Sequence, residues 1–303
     1  MNPKVSIIIP NYNHALFLQE RLDSVFNQTF QDFEVILLDD ASTDGSVDLL
    51  NQYKDHPKVS HVVMNNENSG SPFKQWQRGI ELAKGDYIWI AESDDYCELN
   101  FLESLLLFLK DEETVLAYCA TKHFDEIQKS VYLDKWASQL DKVRWQSNYT
   151  NIGCLEIKYY FRYRNIIPNA SAVLFKRTAI LRVELPLEMK FCGDWLIWLK
   201  LLQYGDIAYC CLPLNYFRKH EKTTRVFKGF VVENQRFNEY KFIVKQYSSF
   251  IDRVINLGKY KWIVLECYLK RKTVGKFPNF KLKLPIEFQI AYVLLILGNK
   301  INK

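Results

Sequence analysis

Apolar residues along the first 110 positions alternate between two periods. Four short runs are nearly continuous: "KVSIIIP" (Lys4 to Pro10), "FEVILLDD" (Phe33 to Asp40), "VSHVVM" and "DYIWIA". Their length and β-branched or aromatic content predict strands, the first two and the last of them buried. Between them, apolar residues recur every three or four positions. "LFLQERLDSVFNQ" places Leu18, Leu22, Val25 and Phe26 on one helical face. "STDGSVDLLNQYK" offers a turn and cap into a second helix. "FKQWQRGIELAKG" reads as a third helix stopped by Gly85, and "NFLESLLLFLK" as a fourth. Four alternations of strand and helix predict βαβ units, hence an α/β fold with a mostly parallel sheet flanked by helices.

The second half is less regular. Lys122 to Asn151 has little period and reads as an active-site loop or insertion, and "IPNASAVLFKR" as a loop entering a strand. "CGDWLIWLKLLQYG" predicts a helix entered through Gly193-Asp194; "DIAYCCLPLNYFRKHEKTTR" predicts a strand followed by a cation-rich polar loop. Beyond Phe227 the pattern is helical and basic. It closes on "PIEFQIAYVLLILGNKI", where Ile286, Ile290, Val293, Leu294 and Leu297 share a face. The expected division is a catalytic domain, 1–226, and a helical basic extension, 227–303.

Composition narrows the class. The 303 residues are 48% hydrophobic and 25% charged, as in soluble globular proteins. Seven cysteines without CxxC or Cys/His metal spacing point to a reduced, cytoplasmic chain. "MNPKVSIIIPNYN" breaks at Pro10 too early for a secretory leader, and no apolar run is long enough to span a bilayer. Charge is uneven: from Lys219 onward 18 Lys and Arg face 6 Asp and Glu, against +5 overall. With the apolar terminal helix, this suggests peripheral contact with the anionic inner face of a membrane. The alternatives are a solvated surface, packing on the catalytic domain, or a homodimer contact; no nucleic-acid partner is expected.

In parallel sheets ligands bind beyond the carboxyl ends of the strands. Pro10, Tyr12 and Asn13 follow the first strand, Asp39 and Asp40 end the second, and Glu92, Asp94 and Asp95 end the fourth. Clustered carboxylates repel unless a cation sits among them. Acids without Cys/His partners favour an oxygen-preferring Mg²⁺ or Mn²⁺, which often shares a phosphate ligand. Solvated turns and helix caps are the simpler explanation for each acid taken alone. Asp194 at a helix start reads as a cap or as a general base. Arg218, Lys219, His220, Lys222 and Arg225 read as a solvated loop or as a neutraliser of a leaving diphosphate. His14, His56, His61 and His123 carry no pattern, and no Gly-rich dinucleotide or P-loop motif is present.

Taken in order, "VSIIIPNYN", "VILLDDASTDGS", "NSG", "GDYIWIAESDDY", "GDW" and "YFRKH" resemble the inverting family 2 glycosyltransferases of the GT-A fold, over Val5 to about Arg225. The resemblance implies transfer of a sugar from a nucleoside-diphosphate donor, often UDP-linked, to the hydroxyl of a saccharide or polyprenyl-linked acceptor, as in cell-surface polysaccharide or glycolipid synthesis. It places Pro10, Tyr12 and Asn13 at the nucleotide, Asp39 and Asp40 at the base, and Asp94 and Asp95 at ribose and metal. Asp194 matches the catalytic base. Arg218 and His220 match an element closing near diphosphate and metal, and Asn169, Ser171 and Trp195 fall where donor sugar or acceptor is faced. Three departures stand out: Glu92 replaces an Asp, Trp76-Gln77 replace an Arg-Asn pair with Lys74 or Arg78 as substitute cations, and "CGDW" leaves Asp194 as the sole acid. The competing readings are a nucleotide-sugar binding module without turnover and, more weakly, a nucleotidyltransferase, because "PNYNHALF" lacks glycine.

Overall fold

The four apolar runs become the first four strands of one ten-stranded sheet in the computed structural model, which describes residues 2–221, 230–274, 285–291 and 293. They are β1 (Val5–Asn11), β2 (Phe33–Asp39), β3 (Val59–Met64) and β4 (Tyr87–Ile90). All residues of β1, β2 and β4 are buried, as expected of strands covered on both faces. Six more strands follow: β5 (Tyr96–Cys97), β6 (Thr114–Asp125), β7 (Ser130–Leu133), β8 (Tyr149–Asn151), β9 (Val173–Lys176) and β10 (Asp206–Lys219). The sheet order is β3-β2-β1-β4-β9-β6-β10-β5, with β7 on β6 and β8 on β10. The pairs β3/β2, β2/β1, β1/β4 and β6/β10 are parallel, whereas β9 is antiparallel to both β4 and β6.

Helices α1 (Ala15–Phe26), α2 (Ser46–Asn51), α3 (Pro72–Leu82) and α4 (Phe101–Phe108) connect the first strands; α5 (Gly153–Glu156), α6 (Arg177–Ile180) and α7 (Gly193–Leu201) belong to the second half. α1 buries Leu18, Leu22 and Val25 as its period predicts, but it also buries Arg21 completely. α3 lies close on β1 because Gly79 offers no side chain: a Cβ there would fall 2.4 Å from Ile8 Cγ2. Glycine at mid-helix is explained by that approach rather than by propensity.

Two elements differ from the pattern's forecast. The stretch from Lys122 to Asn151 is only partly irregular, since it begins within β6, folds back as β7 and ends in β8. β10 runs through Lys219, so Arg218 and Lys219 are strand residues rather than loop residues. Pairing of Arg218 with Phe124 and Lys219 with Asp125 on β6 holds them there. Lys222 and Arg225 lie outside the described residues.

The chain divides into two compact units, Met1–Lys158 with Asn165–Glu221, and Tyr159–Arg164 with Lys222–Lys303. The first holds the whole sheet. In the second, α8 (Phe230–Tyr247), α9 (Phe250–Ile255) and α10 (Lys261–Val274) follow one another. Ser249 and Asp252 form a reciprocal capping box at the start of α9. The Trp262 indole donates to the Tyr163 carbonyl at 2.9 Å, and Arg253 pairs with Glu287. Of the apolar terminal face, Ile286, Ile290 and Val293 are exposed, while Leu294 and Leu297 lie outside the described residues. No helix among the described residues is long and apolar enough to cross a membrane.

Candidate active site

Because β1, β2 and β4 run parallel, their carboxyl ends bring together the segments Pro10–His14, Asp39–Thr43 and Glu92–Asp95. The first two segments are tied side by side. Asn13, at φ +56°, takes the Ser42 hydroxyl as acceptor of its N–H at 2.9 Å; its own Oδ1 accepts from the Thr43 N–H at 2.8 Å. Ala41 also sits at a positive φ of 62°. A non-glycine residue rarely holds that conformation without surrounding bonds that enforce it. Tyr12 stands half exposed at this edge.

The two acids at the carboxyl end of β2, Asp39 and Asp40, do different work. Asp39 is buried and bonded to the Asn11 amide at 2.7 Å and the Ser42 N–H at 2.8 Å, which closes the turn. Asp40 Oδ1 accepts from the Asn65 amide, the Ser69 N–H and the Gln75 amide at 2.8–2.9 Å, and Oδ2 accepts from the Ser69 hydroxyl at 2.8 Å. A base-reading role for Asp40 rests on the remaining capacity of Oδ2.

The acids after β4 are graded by their surroundings. Burial and the adjacent Asp94 charge push the Glu92 carboxyl up to about 8, against the Trp76 indole N–H, which donates to Glu92 Oε1 at 2.9 Å. The two departures in the sequence, Glu92 and Trp76, are therefore one contact. Burial also pushes Asp95 up to about 6, aided by Asp94. For Asp94, burial raises the carboxyl, but the His220 hydrogen bond and the charges of His14 and His220 prevail and hold it below the usual range.

A cation does sit among these acids. Arg21 is wholly buried, donates from Nε to the Glu92 carbonyl at 2.9 Å and lies over the Trp89 ring at 5.5 Å. Its charge lowers both Glu92 and Asp95. Among the described residues, no oxygen or nitrogen atom accepts from Nη1 or Nη2. The sequence held one signal for it, a charged residue beside Leu18 and Leu22 on the apolar face of α1.

Several expected residues stand elsewhere than anticipated. Asp95, expected on the metal, is 1% exposed and spends its oxygens on the Asn169 amide (2.5 Å), the Ser171 hydroxyl (2.7 Å) and the Arg218 N–H (3.0 Å). Asn169 and Ser171, expected to face sugar or acceptor, are the buried donors that hold it. Trp195, expected beside them, is packed into the core. Arg218, expected at the diphosphate, is buried against Phe17, Tyr96 and Phe124 and paired with Glu20 and Glu126, so its charge is already met. Lys74 donates to the Ser69 carbonyl, and Arg78 pairs with Glu81 on the exposed side of α3.

His14, unremarkable in the sequence, joins instead. The ligating atoms of His14, Asp94 and His220 all lie within 4.8 Å of one another. His220 Nε2 is 3.1 Å from Asp94 Oδ2, and His14 Nδ1 is 2.9 Å from the Ser93 hydroxyl. Two imidazoles and a carboxylate fit a divalent ion, and nitrogen donors favour Mn²⁺ over Mg²⁺.

Asp194 lies half-buried in the first turn of α7, where the helix dipole favours its ionised form. The Asn165 amide donates to its Oδ2 at 2.9 Å. α7 begins hard against α3: a Cβ at Gly193 would fall 2.4 Å from the Phe73 ring. Asn165 and Asn169 bracket one short loop, so a single segment fixes both the Asp194 and the Asp95 carboxylates. Asn165 had no sequence signal, as an Asn in an irregular stretch resembles any turn residue.

The family described as Glycosyl transferase family 2 matches residues 6–185 of this chain. The putative teichuronic acid biosynthesis glycosyltransferase TuaG of Bacillus subtilis (strain 168) is 29% identical over 209 residues, covering 68% of this chain and 75% of its own. A poly(ribitol-phosphate) beta-glucosyltransferase of Bacillus spizizenii is 42% identical over 113 residues; these make up 37% of this chain but only 18% of that longer protein. Among solved structures, S. aureus TarS 1-349 in complex with UDP-GlcNAc aligns with a TM-score of 0.66 at 18% identity, over 96% of this chain and 79% of its own. A mannosyltransferase of Pyrobaculum calidifontis in complex with GDP-Man and Mn²⁺ aligns with a TM-score of 0.58 at 16% identity, over 99% and 81%.

Proposed function

The chain belongs to glycosyl transferase family 2 and is a glycosyltransferase of the GT-A fold, and we propose that it transfers a sugar with inversion from a UDP-linked donor to an acceptor hydroxyl in cell-surface polysaccharide synthesis. The similarity to the teichuronic acid and poly(ribitol-phosphate) enzymes supports the polymer context. The observation that carries the mechanism is Asp194, placed in the first turn of α7 and oriented by the Asn165 amide at 2.9 Å. A general base needs such a fixed carboxylate within reach of the acceptor.

In this reading Asp194 takes the proton of the acceptor hydroxyl as its oxygen forms a bond to the anomeric carbon. The bond from that carbon to the diphosphate breaks on the opposite face, and the electron pair leaves with the nucleoside diphosphate. Tyr12 stacks the base, and Asp40 Oδ2 accepts from it. Asp94, His14 and His220 would hold Mn²⁺, which when bound would supply positive charge to the leaving diphosphate. Asp95, Asn169 and Ser171 position Asp94 by anchoring its neighbour. Arg218 positions the same turn through its bond to the Asp94 carbonyl at 2.8 Å.

The test is a screen of UDP-, GDP- and dTDP-sugars with Mn²⁺, reading released nucleoside diphosphate, beside Asp194→Asn. Turnover with one donor, reduced by about 10²–10⁴ in the variant while nucleotide affinity stays, is the expected result. Nucleotide binding without turnover on any donor and acceptor would replace this reading with a binding module. Full activity in Asp194→Asn would remove the base from the mechanism.

A further inference from the structure

A cavity of about 320 Å³ opens beside the candidate site within the first unit. Its floor is Tyr118–Thr121 of β6 with Tyr209 and Cys211 of β10; its roof is the stretch from Leu133 to Gln146. The third wall is Ile166 and Pro168, two residues of the loop that fixes Asp194 and Asp95. The Trp136 indole donates to the Asn165 carbonyl at 3.0 Å, tying roof to loop.

Resting on the glycosyltransferase reading, we propose that this cavity binds the acceptor, and that the acceptor is a saccharide or polyol chain bearing negative charge, as carboxylate or phosphodiester. Three observations carry the assignment. First, the aromatic lining is held rigid: Trp145 Nε1 donates to the Tyr118 hydroxyl at 2.7 Å, which lies 2.7 Å from the Tyr149 hydroxyl. Fixed aromatic faces with a few polar groups are what a sugar ring packs against. Second, the charge at the mouth is unbalanced. Lys135 and Lys142 are exposed and pair with no acid among the described residues, whereas Asp134 is committed to His123 Nε2 at 2.5 Å and to the Trp136 N–H at 2.8 Å. Unpaired ammonium groups on an aromatic-walled cavity select an anion. Third, the wall shared with Asn165 puts an occupant next to the segment that orients the base.

The experiment uses the full chain and calorimetric titration with three oligomers of equal length: a uronic-acid oligosaccharide, a polyol-phosphate oligomer and a neutral glucan. One or both anionic oligomers should bind with an affinity that falls as salt rises, and the neutral one at least tenfold more weakly. Lys135→Ala/Lys142→Ala should weaken the anionic binding about tenfold, and Lys135→Arg/Lys142→Arg should restore it. UDP affinity should be unchanged in every variant, which separates this inference from the donor reading: loss of UDP binding in the wild type refutes that reading alone. Which anionic oligomer binds identifies the carboxylate or the phosphodiester. Equal binding of the neutral glucan, unchanged binding in the alanine variant, or no binding of any oligomer would overturn the proposal.

Discussion

Replacing Glu92 by Gln probes the buried acid cluster most directly. The carboxyl ordinarily titrates near 4.5 and is pushed up to about 8 here by burial and by Asp94. Between those values the folded chain keeps a proton that the unfolded chain has released. This contribution to stability is therefore whole below pH 4.5 and declines as pH rises to about 8, the reverse of ordinary acid denaturation. At about 1.4 kcal/mol for each pH unit, the loss is about 3 kcal/mol at pH 7 and close to 5 kcal/mol above pH 8. Gln carries no proton to lose, and its carbonyl oxygen can accept from the Trp76 indole as Glu92 Oε1 does at 2.9 Å. Thermal melts in EDTA should show wild type and Glu92→Gln nearly level at pH 5. The variant should then melt higher, by roughly 6–12 °C at pH 7 for a unit of this size. Asp95, pushed up to about 6, adds a slope of the same sign to both proteins and drops out of the difference. An offset that stays constant from pH 5 to 8.5, or a wild type that gains on the variant as pH rises, would show that Glu92 is solvated or paired and would refute the reasoning.

Two more perturbations address the metal donors and the packing. His14→Ala should weaken Mn²⁺ binding at least tenfold by electron paramagnetic resonance titration while leaving the fold intact; equal affinity in the variant would remove His14 from the site. Gly79→Ala should destabilise by about 1–3 kcal/mol in urea because the added methyl meets Ile8 at 2.4 Å, outweighing the roughly 1 kcal/mol that alanine gains in helix propensity; a more stable variant would show that α3 can move off the sheet.

Much of the frame was legible because parallel strands announce themselves as continuous apolar runs, and the acids at their ends then had one place to go. Val5–Asn11 and Phe33–Asp39 needed no tertiary information. β6 escaped notice because its second half, "TKHFD", is polar, and only pairing with β10 makes it a strand. The roles within the site were less legible for a related reason. A sequence shows which groups are present but not which are already satisfied: Arg218 reads as an available cation until Glu20 and Glu126 are found on it, and Asp95 as a metal ligand until Asn169 and Ser171 are. His14 was invisible because its partners lie 80 and 206 residues away in Asp94 and His220.

The short loop from Asn165 to Asn169 has a consequence for anyone who would graft parts between such enzymes. Its two end residues grip Asp194 and Asp95, its middle residues line the cavity, and Asn169 is itself held by the Asn215 amide at 2.8 Å. Cavity wall and carboxylate spacing are thus one module rather than two. A loop transplanted to reshape the cavity brings a new distance between the acids with it, unless Trp136 and Asn215 travel too. With the proposed roles of cavity and base, selectivity and rate are inherited together.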